Sequence, residues 1–194
     1  MTAVDGSPRE RIVTAAHGLF LAGGYLGTTM GEIATEAGVS LLEVFDVVGS
    51  KAGALAAVVD EAVVGDAEPV ALLDRAWVAG LGSMSTEEAL RSVVANLAEA
   101  TERASPVHEV VASAASDPEV GALLSVLHAQ RVETCARLAE LVAPSPTVVD
   151  LLADQLYAVV GPECFHLLVV RRGWSRRRWE RWAEQGLTAA LAAT

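Results

Sequence analysis

The chain has 194 residues, 52% of them hydrophobic, with 14 basic against 25 acidic side chains and a net charge of -11. That length accommodates one large domain or two small ones sharing a core, and the acidic balance argues against general affinity for polyanions. Despite a mean hydropathy of +0.38, no apolar run reaches the ~18 residues of a membrane span.

Helix starts can be read almost one by one. Ser7-Pro8-Arg9-Glu10 offers an N-cap, a proline at the first helical position and a capping glutamate. Ile12, Ala15, Ala16, Leu19 and Phe20 then share one helical face, and Gly23-Gly24 ends that helix. Asp5 and Glu10 precede any apolar stretch, unlike a secretory signal, so a cytoplasmic setting is expected.

Residues 28–55 carry a helix-turn-helix pattern. Thr29 with Glu32 and Ser40 with Glu43 fit the S/T-x-x-E capping box, predicting helices from Met30 and Leu41. Gly38 between them suits a left-handed turn. Ile33, Ala34 and Ala37 can pack on Val44 and Val48. Two short helices joined by such a turn make the hairpin that reads DNA. The second helix exposes Leu41, Leu42, Glu43, Asp46 and Val47, with no Arg or Lys among them. Residues 1–55 hold three basic side chains, Arg9, Arg11 and Lys51, against six acids, a net of -3. Fold signal and charge signal disagree here.

Ser50 predicts a fourth helix through Ala62, and a boundary between two domains is expected near Gly65–Glu68. A helix from about Pro69 to Leu81 follows, then one from Ser85 to Ala104. Ser105-Pro106, Asp117-Pro118 and Ser145-Pro146 each pair an N-cap with a proline and predict new helix starts. Segment 146–170 is apolar on nearly every side, which predicts burial all round and a partner subunit to cover one face. Gly161-Pro162 should break it. Leu152, Leu156 and Val159 there, with Trp179 and Trp182 of a last helix capped by Ser175, are the candidate dimer contacts. The count is 9–10 helices, no strand, and an all-α fold: a helix-turn-helix unit over residues 1–64 and a larger helical domain over 65–194.

No catalytic grouping, phosphate loop or metal-ligand set emerges, and no cofactor is implied. Cys135 and Cys164 form no C-x-x-C pair and are expected as free thiols. Six arginines between Arg171 and Arg181 read first as a solvated helix start pairing with acids such as Glu180 and Glu184.

The residues Gly24, Tyr25, Thr28 and Thr29 (GY-x-x-TT), then Ile33, Ala34, Ala37, Gly38, Val39 and Ser40 (IA-x-x-AGVS), then Phe45, Ser50 and Lys51, resemble the TetR family of bacterial transcriptional regulators. The resemblance covers residues 9–60. It implies a homodimer that binds palindromic operator DNA as a repressor, and a C-terminal domain that holds a small apolar ligand. DNA contact would come from Thr28, Thr29, Ser40, Leu41, Leu42, Glu43, Phe45, Asp46 and Lys51. Glu43 and Asp46 could accept from a cytosine amino group, although closure of the cap on Ser40 also accounts for Glu43. Leu41 and Leu42 could touch thymine methyls or pack against protein. The ligand would lie among Trp77, Val94, His108, Val111, His128 and Tyr157, residues that simple core packing also explains. The chain departs from the family pattern at Leu41, Glu43, Phe45 and Asp46, where Lys, Arg, Thr, Tyr or His are usual. The alternative is a module of the same fold whose hairpin has lost DNA and serves a ligand or protein partner.

Overall fold

A computed structural model describes residues 6–65 and 70–192. All regular structure among them is helical: α1 (Pro8–Gly27), α2 (Met30–Ala37), α3 (Leu41–Val48), α4 (Lys51–Val64), α5 (Ala76–Ala79), α6 (Thr86–Ser113), α7 (Pro118–Val142), α8 (Val149–Val159), α9 (Pro162–Phe165) and α10 (Arg176–Ala192). Two compact units result: residues 1–67 with 106–126, and residues 68–105 with 127–194. No described helix is long and apolar enough to cross a membrane.

The local rules for helix ends hold through the first unit. Ser7 and Glu10 exchange bonds in a complete capping box, as do Thr29 and Glu32. α1 changes direction at Gly24, whose φ of 69° and ψ of 176° lie outside the helical region. Gly38 closes α2 with φ 65°, a left-handed conformation that glycine adopts without a Cβ penalty. α1 packs on α2 and α4, and α3 packs on both α2 and α4. Ile12, Ala16, Phe20, Ile33, Val44 and Leu55 are wholly buried there or nearly so.

Gly53 has a separate reason to be glycine. A Cβ at this position would run into the Val48 carbonyl oxygen, because the first turn of α4 lies against the end of α3. The Ser50 hydroxyl holds that turn by accepting the Gly53 N–H at 3.1 Å. Gly53→Ala is therefore expected to cost about 1–3 kcal/mol through overpacking, read as a lower melting temperature by circular dichroism. A melt equal to the parent's would show that α4 can tilt away freely.

The second unit is built around Leu90, Val93, Leu138, Leu152, Leu156, Phe165, Trp179 and Leu187. Three expectations need correction in and around it. Pro69 lies outside the described residues, and the rest of the helix expected up to Leu81 is broken. It consists of one 3-10 turn at Leu72–Asp74, the four-residue α5, and another 3-10 turn at Leu81–Ser83. Arg75, extended at ψ 147°, interrupts it, and no side chain caps the pieces. Ser105-Pro106 starts no helix, because α6 continues through Pro106 to Ser113. A proline inside a helix forfeits one backbone bond; burial of Ala104, Ser105 and Val107 on either side outweighs that loss. Ser145 caps nothing either: its hydroxyl meets that of Thr147 at 2.8 Å, and a 3-10 turn precedes α8.

The break at Gly161-Pro162 is present. α8 ends at Val159, and the buried Thr101 hydroxyl donates to the Val160 carbonyl at 3.2 Å, satisfying an acceptor that the broken helix leaves open. Beyond α9 the chain runs as a π-helical turn, His166–Arg171, before α10.

Candidate functional site

The helix-turn-helix is assembled by caps. Thr29 N–H and its hydroxyl both donate to the Glu32 carboxylate at 2.8 Å, and Glu32 N–H donates back to the hydroxyl at 3.2 Å. Those bonds to the charged form hold the Glu32 carboxyl below its ordinary range. Ser40 caps α3 by accepting the Glu43 N–H at 3.1 Å. The reciprocal bond expected from Glu43 is not formed, so this cap is half a capping box and the Glu43 carboxylate is left unused by it.

α3 has two faces. Val44 is fully buried toward α2 and α4, whereas Leu41, Leu42, Phe45 and Asp46 are exposed, Leu42 by 71%. Positions 41, 42, 45 and 46 are related by three- and four-residue steps and make one outward stripe. Glu43 and Val47 flank it, half-buried.

Two of the expected phosphate contacts are occupied elsewhere. Thr28 is 2% exposed and its hydroxyl donates to the Gly24 carbonyl at 2.9 Å, bracing the turn that ends α1. Lys51 reaches back 26 residues: its ammonium donates to the Tyr25 carbonyl at 2.9 Å and the Thr28 carbonyl at 3.1 Å, and sits 4.2 Å from the Tyr25 ring centroid. It is a clamp between the start of α4 and the α1–α2 turn rather than an open cation. Arg11 does similar work that sequence spacing did not reveal, donating from Nε to the Ala37 carbonyl at the C-terminus of α2.

Of the six candidate ligand residues, the second unit joins His128 and Tyr157 through a 2.6 Å hydrogen bond. The Arg131 guanidinium lies 4.3 Å from the Tyr157 ring centroid and forms a two-pronged pair with Glu163 at 2.8 and 3.1 Å. Trp77 is half-buried against the core that contains Val94. His108 and Val111 belong to the first unit, the former half-buried and the latter fully buried. An open groove on the second unit is lined by Ser83, Met84, Glu88, Arg91, Ser92, Ala95 and Asn96, none of the six.

The candidate dimer residues separate in the same way. Leu152, Leu156 and Trp179 are at most 1% exposed, inside the chain's own core. Val159 is half-buried, and Trp182 stands 40% exposed with its ring edge-on to Trp174. Leu151, Leu167 and Val170 are exposed by 40%, 55% and 59%. In the arginine cluster, Arg176 pairs with Glu102 at 2.9 Å and Glu180 at 3.0 Å, and Arg178 covers the Trp174 ring. Glu184, expected to pair there, is taken by Arg91 at 3.0 Å. Cys135 and Cys164 are free thiols, and burial pushes Cys135 up to about 11.

Residues 12–41 match the sequence model described as bacterial regulatory proteins, tetR family. No curated protein sequence matches the chain significantly. Among solved structures it is similar to a TetR-like transcriptional regulator from Rhodococcus sp. RHA1, at 19% identity over 100% of both chains with a TM-score of 0.61. It is also similar to a TetR transcriptional regulator from Streptomyces coelicolor, at 18% identity over 95% of this chain and 97% of that one, with a TM-score of 0.53. Residues 12–41, which run from α1 to the first residue of α3, thus resemble the tetR family in sequence, and the chain as a whole has the fold of TetR-like transcriptional regulators.

Proposed function

We propose that the chain is a cytoplasmic, homodimeric transcriptional repressor that binds palindromic operator DNA and releases it when a small, mostly apolar ligand binds. The observation that carries the reading is α3. It is capped at Ser40, fixed inward by Val44, and presents an open stripe of Leu41, Leu42, Phe45 and Asp46. A helix so mounted is the part of a helix-turn-helix that enters the major groove. The working division is a DNA-binding domain over residues 1–64 and a ligand-binding and dimerisation domain over 65–194.

The dimer surface is carried by Leu167 and Val170 of the π-helical turn, with Leu151 and Trp182. These are the large apolar side chains left uncovered around α8 and α10. The ligand would be anchored at the His128–Tyr157 pair, with Trp77 supplying apolar wall. A pocket of that kind combines mainly apolar lining with few polar anchors.

A gel-shift titration against the promoter DNA around the chain's own gene tests the reading, with light scattering on the same sample. A retarded, sequence-specific complex and a mass of about twice 20.2 kDa are expected. A second reading, a same-fold module that binds a ligand or protein without DNA, draws on the net charge of -3 over residues 1–55 and on the inward commitment of Lys51. Absence of any shift at low salt would favour it.

A further inference from the structure

Phosphate contacts give a DNA-binding protein most of its sequence-independent affinity, and guanine is usually read by Arg or Lys. The head of this protein has little of either. Lys51 and Arg11 donate to backbone carbonyls, and the outward stripe of α3 contains only Leu41, Leu42, Phe45 and Asp46, flanked by Glu43. What the stripe does offer is apolar surface and acceptor oxygens. In the major groove the matching base features are the thymine C5-methyl group and the cytosine N4 amino donor. Adenine also carries an N6 amino donor, but it and guanine both present an N7 acceptor, against which a carboxylate is repelled.

We propose that α3 reads a pyrimidine-rich strand in each operator half-site, Leu42 seating on thymine methyls and Asp46 accepting from a cytosine amino group. The inference rests on the operator-binding reading above and adds the base code to it. The geometry supports this assignment. Leu42, at the second position of α3, is the most exposed of the helix's large apolar side chains at 71%. Asp46 is exposed, one turn on from Leu42 along the same stripe. Both are exposed, while Val44 is the residue of α3 buried in the core. Glu43 stands to the side, its N–H given to the Ser40 cap.

The experiment is a selection from random duplex DNA with the full-length protein at low salt, followed by two substitutions. The selected half-sites should carry thymine and cytosine on one strand. Replacing the contacted thymine by uracil deletes only the methyl group and should weaken binding about fourfold per half-site. Asp46→Asn exchanges an acceptor-only carboxylate for an amide that can donate to N7 and accept from N6 of adenine, so the preferred base at that position should shift from cytosine to adenine by about tenfold. A half-site that places its thymine and cytosine on opposite strands, or one indifferent to both uracil and Asp46→Asn, overturns the base code while leaving operator binding intact. Failure to select any sequence overturns both.

Discussion

Replacing Leu152 or Leu156 by aspartate is expected to unfold the protein, not merely to split a dimer. The two side chains are 0% and 1% exposed and pack among Leu138, Phe165, Trp179 and Leu187 in the second unit's own core. Each substitution removes a buried leucine, worth about 2–5 kcal/mol, and adds an unpaired carboxylate that burial disfavours by several more. The combined loss approaches the about 5–15 kcal/mol by which whole domains are stable. Loss of the cooperative melt, or recovery only from inclusion bodies, is the expected observation. Trp182→Glu with Val170→Glu should behave differently. Both positions are open to solvent in the single chain, so the helical circular-dichroism signal should persist while light scattering shows the mass falling toward 20.2 kDa. A Leu152→Asp protein that melts like the parent but has lost its partner would return those leucines to the interface.

That contrast shows where sequence reading reached and where it stopped. An apolar helix announces that it will be buried, but not by what. The pattern of residues 146–170 is equally consistent with a partner subunit and with α10 folding back, and Trp179 and Leu187 take the second course. The helix-turn-helix was legible because its determinants are local. The Thr29–Glu32 cap spans three residues, and Gly38 and the Ser50 cap act within one turn. Ser105-Pro106 misled for the same reason: the local signal for a helix start is genuine, yet buried neighbours keep α6 continuous past it. The short turns over residues 72–83 lack side-chain N-caps, and helical spacing without them does not hold one helix together. Roles that depend on reach were invisible. Nothing in the order of residues states that Lys51 and Arg11 each find a carbonyl 26 positions away.

Lys51→Met should lower stability by about 2–3 kcal/mol while leaving the salt dependence of DNA binding almost unchanged. Methionine keeps the unbranched stem and removes the ammonium. Hydrogen bonds to a charged donor contribute about 1.5–3 kcal/mol, and here one ammonium serves the carbonyls of Tyr25 and Thr28 as well as the Tyr25 ring. For a chain of this length the loss corresponds to a fall of about 5–10 °C in melting temperature. The sequence alone suggests another outcome, since Lys51 is the single lysine and follows a helix cap beside the reading hairpin. A lysine held on a phosphate would leave the melt alone and, once removed, make the slope of log K against log salt shallower by about one unit. The two expectations are separable on one purified variant. The buried hydroxyl of Thr28 weighs toward the clamp. It braces Gly24 within the same turn whose Tyr25 and Thr28 carbonyls the ammonium grips, so the α1–α2 turn is held by two side chains at once.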